Sequence, residues 1–347
     1  MNRQELYKKL VQAKRPFDIF GEVEDLSGLK KKYLSFAKII HPDTAKDFEQ
    51  YISTLGFSIL GELYTRGQSE LSEGIYGVVE PEEIYKHQNS LFDLTVYNKK
   101  YSFYEHIYSG EVADIYRGLY ENESVILKVC IDESDNGLLK TEFDTLDTIS
   151  HPSLPIVREY IKVNGCSGII MDERKGVNLS NIIEKNPNGI DAEIVAWMLE
   201  RLFSVVGYLH SNKIVHGNII PENIVVTPEN HNVSLMGFSF HIPDAQNEDK
   251  KYQIFNDDYS DPMIKNGIKV NPKTDIYSIG KIMIKLLGGN LSNNGLPIKI
   301  DSRVRTFIRK LVSDYNMRSD DAWGLWDEWR KIRLEVYGKP HFTVVNF

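Results

Sequence analysis

Residues 208–226 read YLHSNKIVHGNIIPENIVV. They leave the end of an apolar helical stretch, Ile194–His210, and pass into short Ile- and Val-rich strands separated by polar residues. Together with NVSLMGF at 232–238 they form a hairpin-like insertion whose loops carry polar side chains. Further helices are expected downstream at Ile276–Leu287 and Arg303–Asp314. Upstream, from Tyr101, the pattern is one of short β-like runs. IYSGEVADIYRGLY (107–120) and SVILKVC (124–130) read as strands, LLKTEFDTLDTI (138–149) as a helix, and PIVREYIKV (155–163) and SGIIMD (167–172) as strands again. A strand-rich block followed by a helix-rich block makes an α+β arrangement of two lobes.

The chain has 347 residues, 41% apolar, 26% charged and 11% aromatic, which suits two or three globular units and excludes a disordered, collagenous or disulfide-stapled protein. No run approaches the roughly 18 apolar residues of a membrane span, so no membrane partner is expected. The start, MNRQELYKKLVQAKR, lacks an apolar signal core, and the expected location is cytoplasmic. Cys130 and Cys166 stand apart from any CxxC or His cluster and read as reduced thiols, with no metal site. Net charge is −8, and residues 1–70 hold 11 basic and 10 acidic side chains, so nucleic acid is not an expected partner.

Residues 1–70 read as all helix. Leu29, Tyr33, Phe36, Ala37 and Ile40 share one face of a helix that begins near Ser27 as N-cap and stops before Pro42. From Ala45 a second stripe follows: Phe48, Tyr51, Ile52, Leu55, Ile59 and Leu63. Two such helices joined by a short loop pack as an antiparallel hairpin. The first carries Lys30, Lys31, Lys32 and Lys38 and leads into His41-Pro42-Asp43. The stretch FDIFGEVEDLSGLKKKYLSFAKIIHPDT (17–44) thereby resembles a J domain, the module by which co-chaperones engage DnaK-type chaperones. That resemblance implies that Lys30, Lys31, Lys38, His41, Pro42 and Asp43 contact such a chaperone and stimulate its ATP hydrolysis. Residues 71–95 are polar and aperiodic and read as a linker.

A second resemblance spans about residues 100–336: the order of landmarks is similar to that of a protein kinase. It implies a small β-rich lobe over 96–172, a large helical lobe over 173–336 and a tail over 337–347. Lys128 in SVILKVC would be the phosphate-binding lysine and Glu142 its ion-pair partner. Met171 would be the gatekeeper, Gly110 the remaining glycine of the phosphate-covering loop, and KTDIYSIG the buried helix of the large lobe, starting with Asp275. The catalytic loop would run from His216 to Asn223 and the metal loop would begin at Gly237.

Departures from the family pattern bear on function. The catalytic loop reads His216-Gly217-Asn218, so an amide stands where a kinase has its general-base carboxylate. The metal loop reads Gly237-Phe238-Ser239 and lacks its magnesium-binding Asp; Ile220 replaces a lysine, and Glu111 puts an anion where phosphates would sit. Met263 replaces the glutamate that partners the large-lobe arginine, here Arg318, which leaves Asp261 as the nearest carboxylate in sequence. The expectation is therefore a J domain fused to a catalytically inactive kinase-like domain that binds a protein client. No cofactor is expected, and ATP would bind weakly and without magnesium if at all. An active atypical serine/threonine kinase, and a scaffold without chaperone stimulation, stand as alternatives. Trp323, Trp326 and Trp329 fall on one helix face and read as core packing rather than a partner groove.

Overall fold

The computed structural model describes residues 1–13, 15–41, 50–72, 76, 90–228, 232–244 and 255–338. They divide into two units, Met1–Lys86 and His87–Phe347.

The first unit holds helices α1 (Arg3–Gln12), α2 (Pro16–Phe20), α3 (Leu26–Ile40) and α4 (Gln50–Ser72). The cap of α3 is Asp25 rather than Ser27: its backbone is still extended (φ −154°), and its carboxylate accepts the Gly28 N–H at 2.7 Å. The helix stops at Ile40, ahead of Pro42. Leu29, Ala37 and Ile40 are buried, with Tyr33 and Phe36 packed on the same core. The facing line of α4 is Ser53, Gly56, Leu60 and Leu63. A Cβ on Gly56 would lie 2.7 Å from Ile40 Cγ1, and one on Gly67 3.1 Å from Leu29 Cδ2, so the two helices run antiparallel and nearly touch. This shifts the buried face from the stripe expected from sequence. Ile52 and Ile59 are only half buried while Leu60 is fully buried, because small residues, invisible to a hydrophobic count, make the contact. Phe48, Pro42 and Asp43, and the side chains of Tyr51 and Leu55, lie outside the described residues.

The second unit opens with a six-stranded antiparallel sheet in the order β1-β2-β3-β4-β6-β5. Its strands are β1 (Phe92–Val96), β2 (Lys99–Ser109), β3 (Ala113–Tyr120), β4 (Glu123–Cys130), β5 (Val157–Val163) and β6 (Cys166–Asp172), with α5 (Asn136–Thr148) packed on one face. Two expectations change here. The run 107–120 is not one strand but the β2–β3 hairpin, closed where the Gly110 N–H donates to the Ala113 carbonyl at 2.9 Å. The sheet also starts before residue 96, because FDLTV pairs with β2 through a turn in which Tyr97 and Asn98 take positive φ. At the other end of the stretch read as linker, α4 runs to Ser72. Cys130 is buried, Cys166 half-buried, and both are free thiols.

The helical lobe comprises α6 (Leu179–Lys185), α7 (Ala192–Ser211), α8 (Pro272–Leu286), α9 (Ser302–Leu311) and α10 (Ala322–Tyr337). Set into it is a small sheet of β7 (Val177–Asn178), β8 (Ile224–Thr227) and β9 (Asn232–Leu235), in which β8 and β9 form the hairpin expected from sequence and β7 is an added strand not anticipated from sequence. Leu199, Phe203, Ile279, Met283, Phe307 and Trp329 lie in its continuous core. The tryptophans do pack α10 onto α7: Trp329 Nε1 donates to the Ala196 carbonyl at 2.9 Å and Trp323 Nε1 to Ser211 Oγ at 2.8 Å. Among the described residues, no helix is long and apolar enough to cross a membrane.

Candidate functional site

Strand β4 sits inside the sheet, paired with β3 and β6, and alternation along it places Lys128 on the face covered by α5. Lys128 and Glu142 are both buried, and Lys128 Nζ lies 2.6 Å from Glu142 Oε2. A third partner was not anticipated from sequence. Ser239 Oγ accepts from Lys128 Nζ at 2.7 Å and itself donates to Glu142 Oε2 at 3.2 Å. Three buried groups thus close a ring of hydrogen bonds joining β4, α5 and the metal loop. Ser239 was legible in GFS beside Gly237, but only geometry reveals its reach. Met171 is buried on β6, where it pairs with Ile126.

The catalytic loop is braced from below. Asp275, on the first turn of α8, accepts the His216 N–H at 2.9 Å, the Gly217 N–H at 2.8 Å and His210 Nε2 at 2.9 Å. His216 itself is fully buried: its Nε2–H donates to the Met236 carbonyl at 2.8 Å, and its Nδ1 accepts the Asn218 N–H at 3.2 Å. Burial pushes its pKa down from 6.5 to about 4, so the ring is neutral and serves as a brace. Asn218 has no carboxylate to offer a substrate hydroxyl, and its buried carboxamide oxygen meets no donor among the described residues. Asn223 Nδ2 donates to the Asn218 carbonyl at 2.9 Å, and the Asn223 carbonyl accepts the Met236 N–H at 2.7 Å.

The metal loop follows. Gly237 adopts a left-handed backbone (φ 78°, ψ 50°), which glycine takes without steric cost. A Cβ there would lie 2.6 Å from Asn223 Nδ2 and closer still to Oδ1 and Cγ of the same side chain. Asn223 therefore fills the space that a metal-binding carboxylate on residue 237 would need. Magnesium carried by triphosphate does not suit these residues: the hard cation wants carboxylate oxygens, and the loop supplies none. Phe238 is fully buried, edge-on to His216 at 4.6 Å between ring centres. His241 ties the loop to α5 a second time: its Nδ1 donates to the Phe238 carbonyl at 2.5 Å and its Nε2 accepts from Thr145 Oγ1 at 2.7 Å.

The turn that would cover phosphates is tied down as well. Ser109 Oγ donates to Asp114 Oδ1 at 2.6 Å across the Gly110 turn, and Glu111 is exposed at its tip. In the large lobe, buried Arg318 pairs with buried Asp261, as the loss of its usual glutamate partner implied. Arg318 also donates to the Lys273 carbonyl at 3.1 Å and the Ser313 carbonyl at 2.8 Å, and its guanidinium lies 4.6 Å from the centre of the Tyr277 ring. Asp261 meanwhile accepts the Met263 N–H at 3.0 Å, so one carboxylate both caps a turn and neutralises the cation.

In the first unit, Lys30, Lys31 and Lys38 are exposed on α3, and Leu34, 49% exposed, sits among them. Lys32 is not part of that face. Its Nζ donates to the Phe20 carbonyl at 2.5 Å and the Glu22 carbonyl at 2.8 Å, pinning the end of α2. His41 stacks edge-on against Phe57 at 4.8 Å. Among the described residues, no group of three or more His, Cys, Asp or Glu side chains could hold a metal ion.

Comparison with known proteins places the second unit. Myosin light chain kinase A of Dictyostelium discoideum is 28% identical over 207 residues, which cover 56% of this chain and 69% of that protein. A probable serine/threonine-protein kinase of the same organism is 26% identical over 200 residues, 55% of this chain and 40% of the relative. The mitogen-activated protein kinase kinase kinase dlk-1 of Caenorhabditis elegans is 23% identical over 239 residues, 66% of this chain and 25% of the relative. The chain thus spans less than two thirds of the length of two of these three proteins. The family model for the protein kinase domain matches residues 101–331. With the buried lysine–glutamate pair, the braced catalytic loop and this match over most of its length, the chain belongs to the protein kinase domain family.

Proposed function

We propose that the kinase-like unit is catalytically inactive and serves to bind a protein, and that the N-terminal helices act as a J domain recruiting a DnaK-type chaperone to that bound protein. The carrying observation is at Gly237, where the metal-loop carboxylate is missing and the Asn223 side chain fills its place. Phosphoryl transfer relies on positioning and on neutralising phosphate charge. Removing one such electrostatic element commonly costs about 100- to 1,000-fold in rate. Here the base at Asn218 and the metal ligand at Gly237 are both gone, and Glu111 adds an anion. The remaining Lys128–Glu142 pair braces α5 against the sheet. The chaperone half of the proposal rests on His41-Pro42-Asp43 following an exposed lysine face, and on the antiparallel packing of α3 against α4.

A second reading, an active atypical kinase, draws on the intact Lys128–Glu142 pair at 2.6 Å. The discriminating experiment uses the full chain with a DnaK-type chaperone and measures steady-state ATP hydrolysis. Wild type should accelerate the chaperone's turnover, and His41→Gln or Asp43→Asn should abolish the acceleration while leaving the circular dichroism spectrum unchanged. Equal stimulation by the variants would overturn the co-chaperone assignment. Lys128-dependent transfer of phosphate to any protein would favour the second reading.

A further inference from the structure

We propose that Ser239 is a specificity-determining residue of the cleft: its hydroxyl occupies the Lys128 ammonium in place of a phosphate oxygen and so guards the cleft against nucleotides. The inference takes the cleft as the nucleotide cleft of the fold and goes beyond its catalytic inactivity. Lys128 Nζ has three N–H donors and no acceptor. One goes to Glu142 Oε2 at 2.6 Å and a second to Ser239 Oγ at 2.7 Å. The serine proton points to Glu142 Oε2 at 3.2 Å, so its lone pairs face the ammonium. Lys128, Glu142 and Ser239 are 8%, 2% and 9% exposed, so the ring they form is buried. With two of its three N–H groups committed, Lys128 offers an approaching phosphate oxygen a single remaining N–H unless the Ser239 hydrogen bond yields. The metal loop is also held to α5 by the Thr145–His241 hydrogen bond at 2.7 Å.

The clasp should act on the phosphates and leave the base and sugar alone. Losing a hydrogen bond to a charged group commonly corresponds to about 10- to 100-fold in affinity. The test is titration calorimetry of the full chain with ATP and, separately, with adenosine, both without magnesium, with one added titration of wild type with ATP in the presence of magnesium. Ser239→Ala and Ser239→Gly should bind ATP about 10-fold or more tighter than wild type, with adenosine binding unchanged. Ser239→Thr, which keeps the hydroxyl, should behave as wild type. The gain should vanish in Ser239→Ala/Lys128→Met. Using two replacements guards against one that fails to fold, and hydrogen exchange over 136–148 in Ser239→Thr and wild type provides the folded reference. The clasp is refuted if neither replacement gains ATP affinity, if adenosine gains equally, or if the gain survives Lys128→Met. Tight magnesium-dependent ATP binding by wild type would instead strike at the inactive-kinase proposal, while the wild-type-to-Ser239→Ala difference would still decide the clasp.

Discussion

Gly237→Asp returns to the metal loop the carboxylate it lacks, yet it should destabilise the domain without creating a magnesium site. The backbone at 237 is left-handed, a region aspartate enters more readily than most side chains but at a cost of about 1 kcal/mol relative to glycine. The new Cβ would lie 2.6 Å from Asn223 Nδ2, so Asn223 must swing away. That breaks its 2.9 Å hydrogen bond to the Asn218 carbonyl, worth about 1 kcal/mol. Together these give about 2 kcal/mol, which for a domain of this size lowers the melting temperature by about 4–8 °C. Calorimetric melting reads the stability, and ATP titration with and without magnesium reads the site. Gly237→Ala adds the same Cβ without the carboxylate and should lose a similar amount. Pairing Gly237→Asp with Asn223→Ala should cost little more than Gly237→Asp alone, because the Asn223–Asn218 hydrogen bond is already lost in the single variant. If Gly237→Asp melts with wild type, or alone confers magnesium-dependent ATP binding, the account of Asn223 as the occupant of the metal position is wrong.

Two further outcomes follow from buried charge. Arg318→Met should cost about 3–5 kcal/mol in urea denaturation, since it strands Asp261 in the core, while Arg318→Met/Asp261→Asn should cost clearly less than the two single changes summed; additive losses would show that the pair is not coupled. His216 has a folded pKa of about 4 against an ordinary value of 6.5, so the unfolded chain takes up the proton first. Its contribution to stability is complete above pH 6.5 and is lost as pH falls toward 4, with a slope of up to about 1.4 kcal/mol per pH unit. Urea midpoints at pH 7, 6 and 5 should therefore fall more steeply for wild type than for His216→Gln, and parallel curves would contradict a buried neutral ring.

The residues that announce themselves by type were legible before the fold was known. Lys128, Glu142 and His216 were legible through the resemblance of their stretches to protein-kinase landmarks, and Arg318 without the glutamate that the same resemblance implies pointed to Asp261, because a buried guanidinium must find an anion. Less legible was whatever depends on small side chains or on reach across the fold. Gly56 and Gly67 set the α3–α4 contact, but they carry no hydrophobic signal, so the face of α4 was placed to one side of its true line. Ser239 is ordinary in sequence and becomes consequential only because α5 brings Glu142 within 3.2 Å of it. Likewise, Gly110 reads as part of a continuous β run until the Ala113 carbonyl closes the turn around it.

The central claim is that the kinase-like unit neither transfers phosphate nor binds nucleotide through a metal. The most direct measurement is a radiolabelled transfer assay on the full chain alongside calorimetric titration with ATP, each with and without magnesium, for wild type and Lys128→Met. The account predicts no transfer, and for wild type either no heat or weak binding that magnesium does not change. Micromolar affinity that requires magnesium, or label transfer that disappears in Lys128→Met, would contradict it.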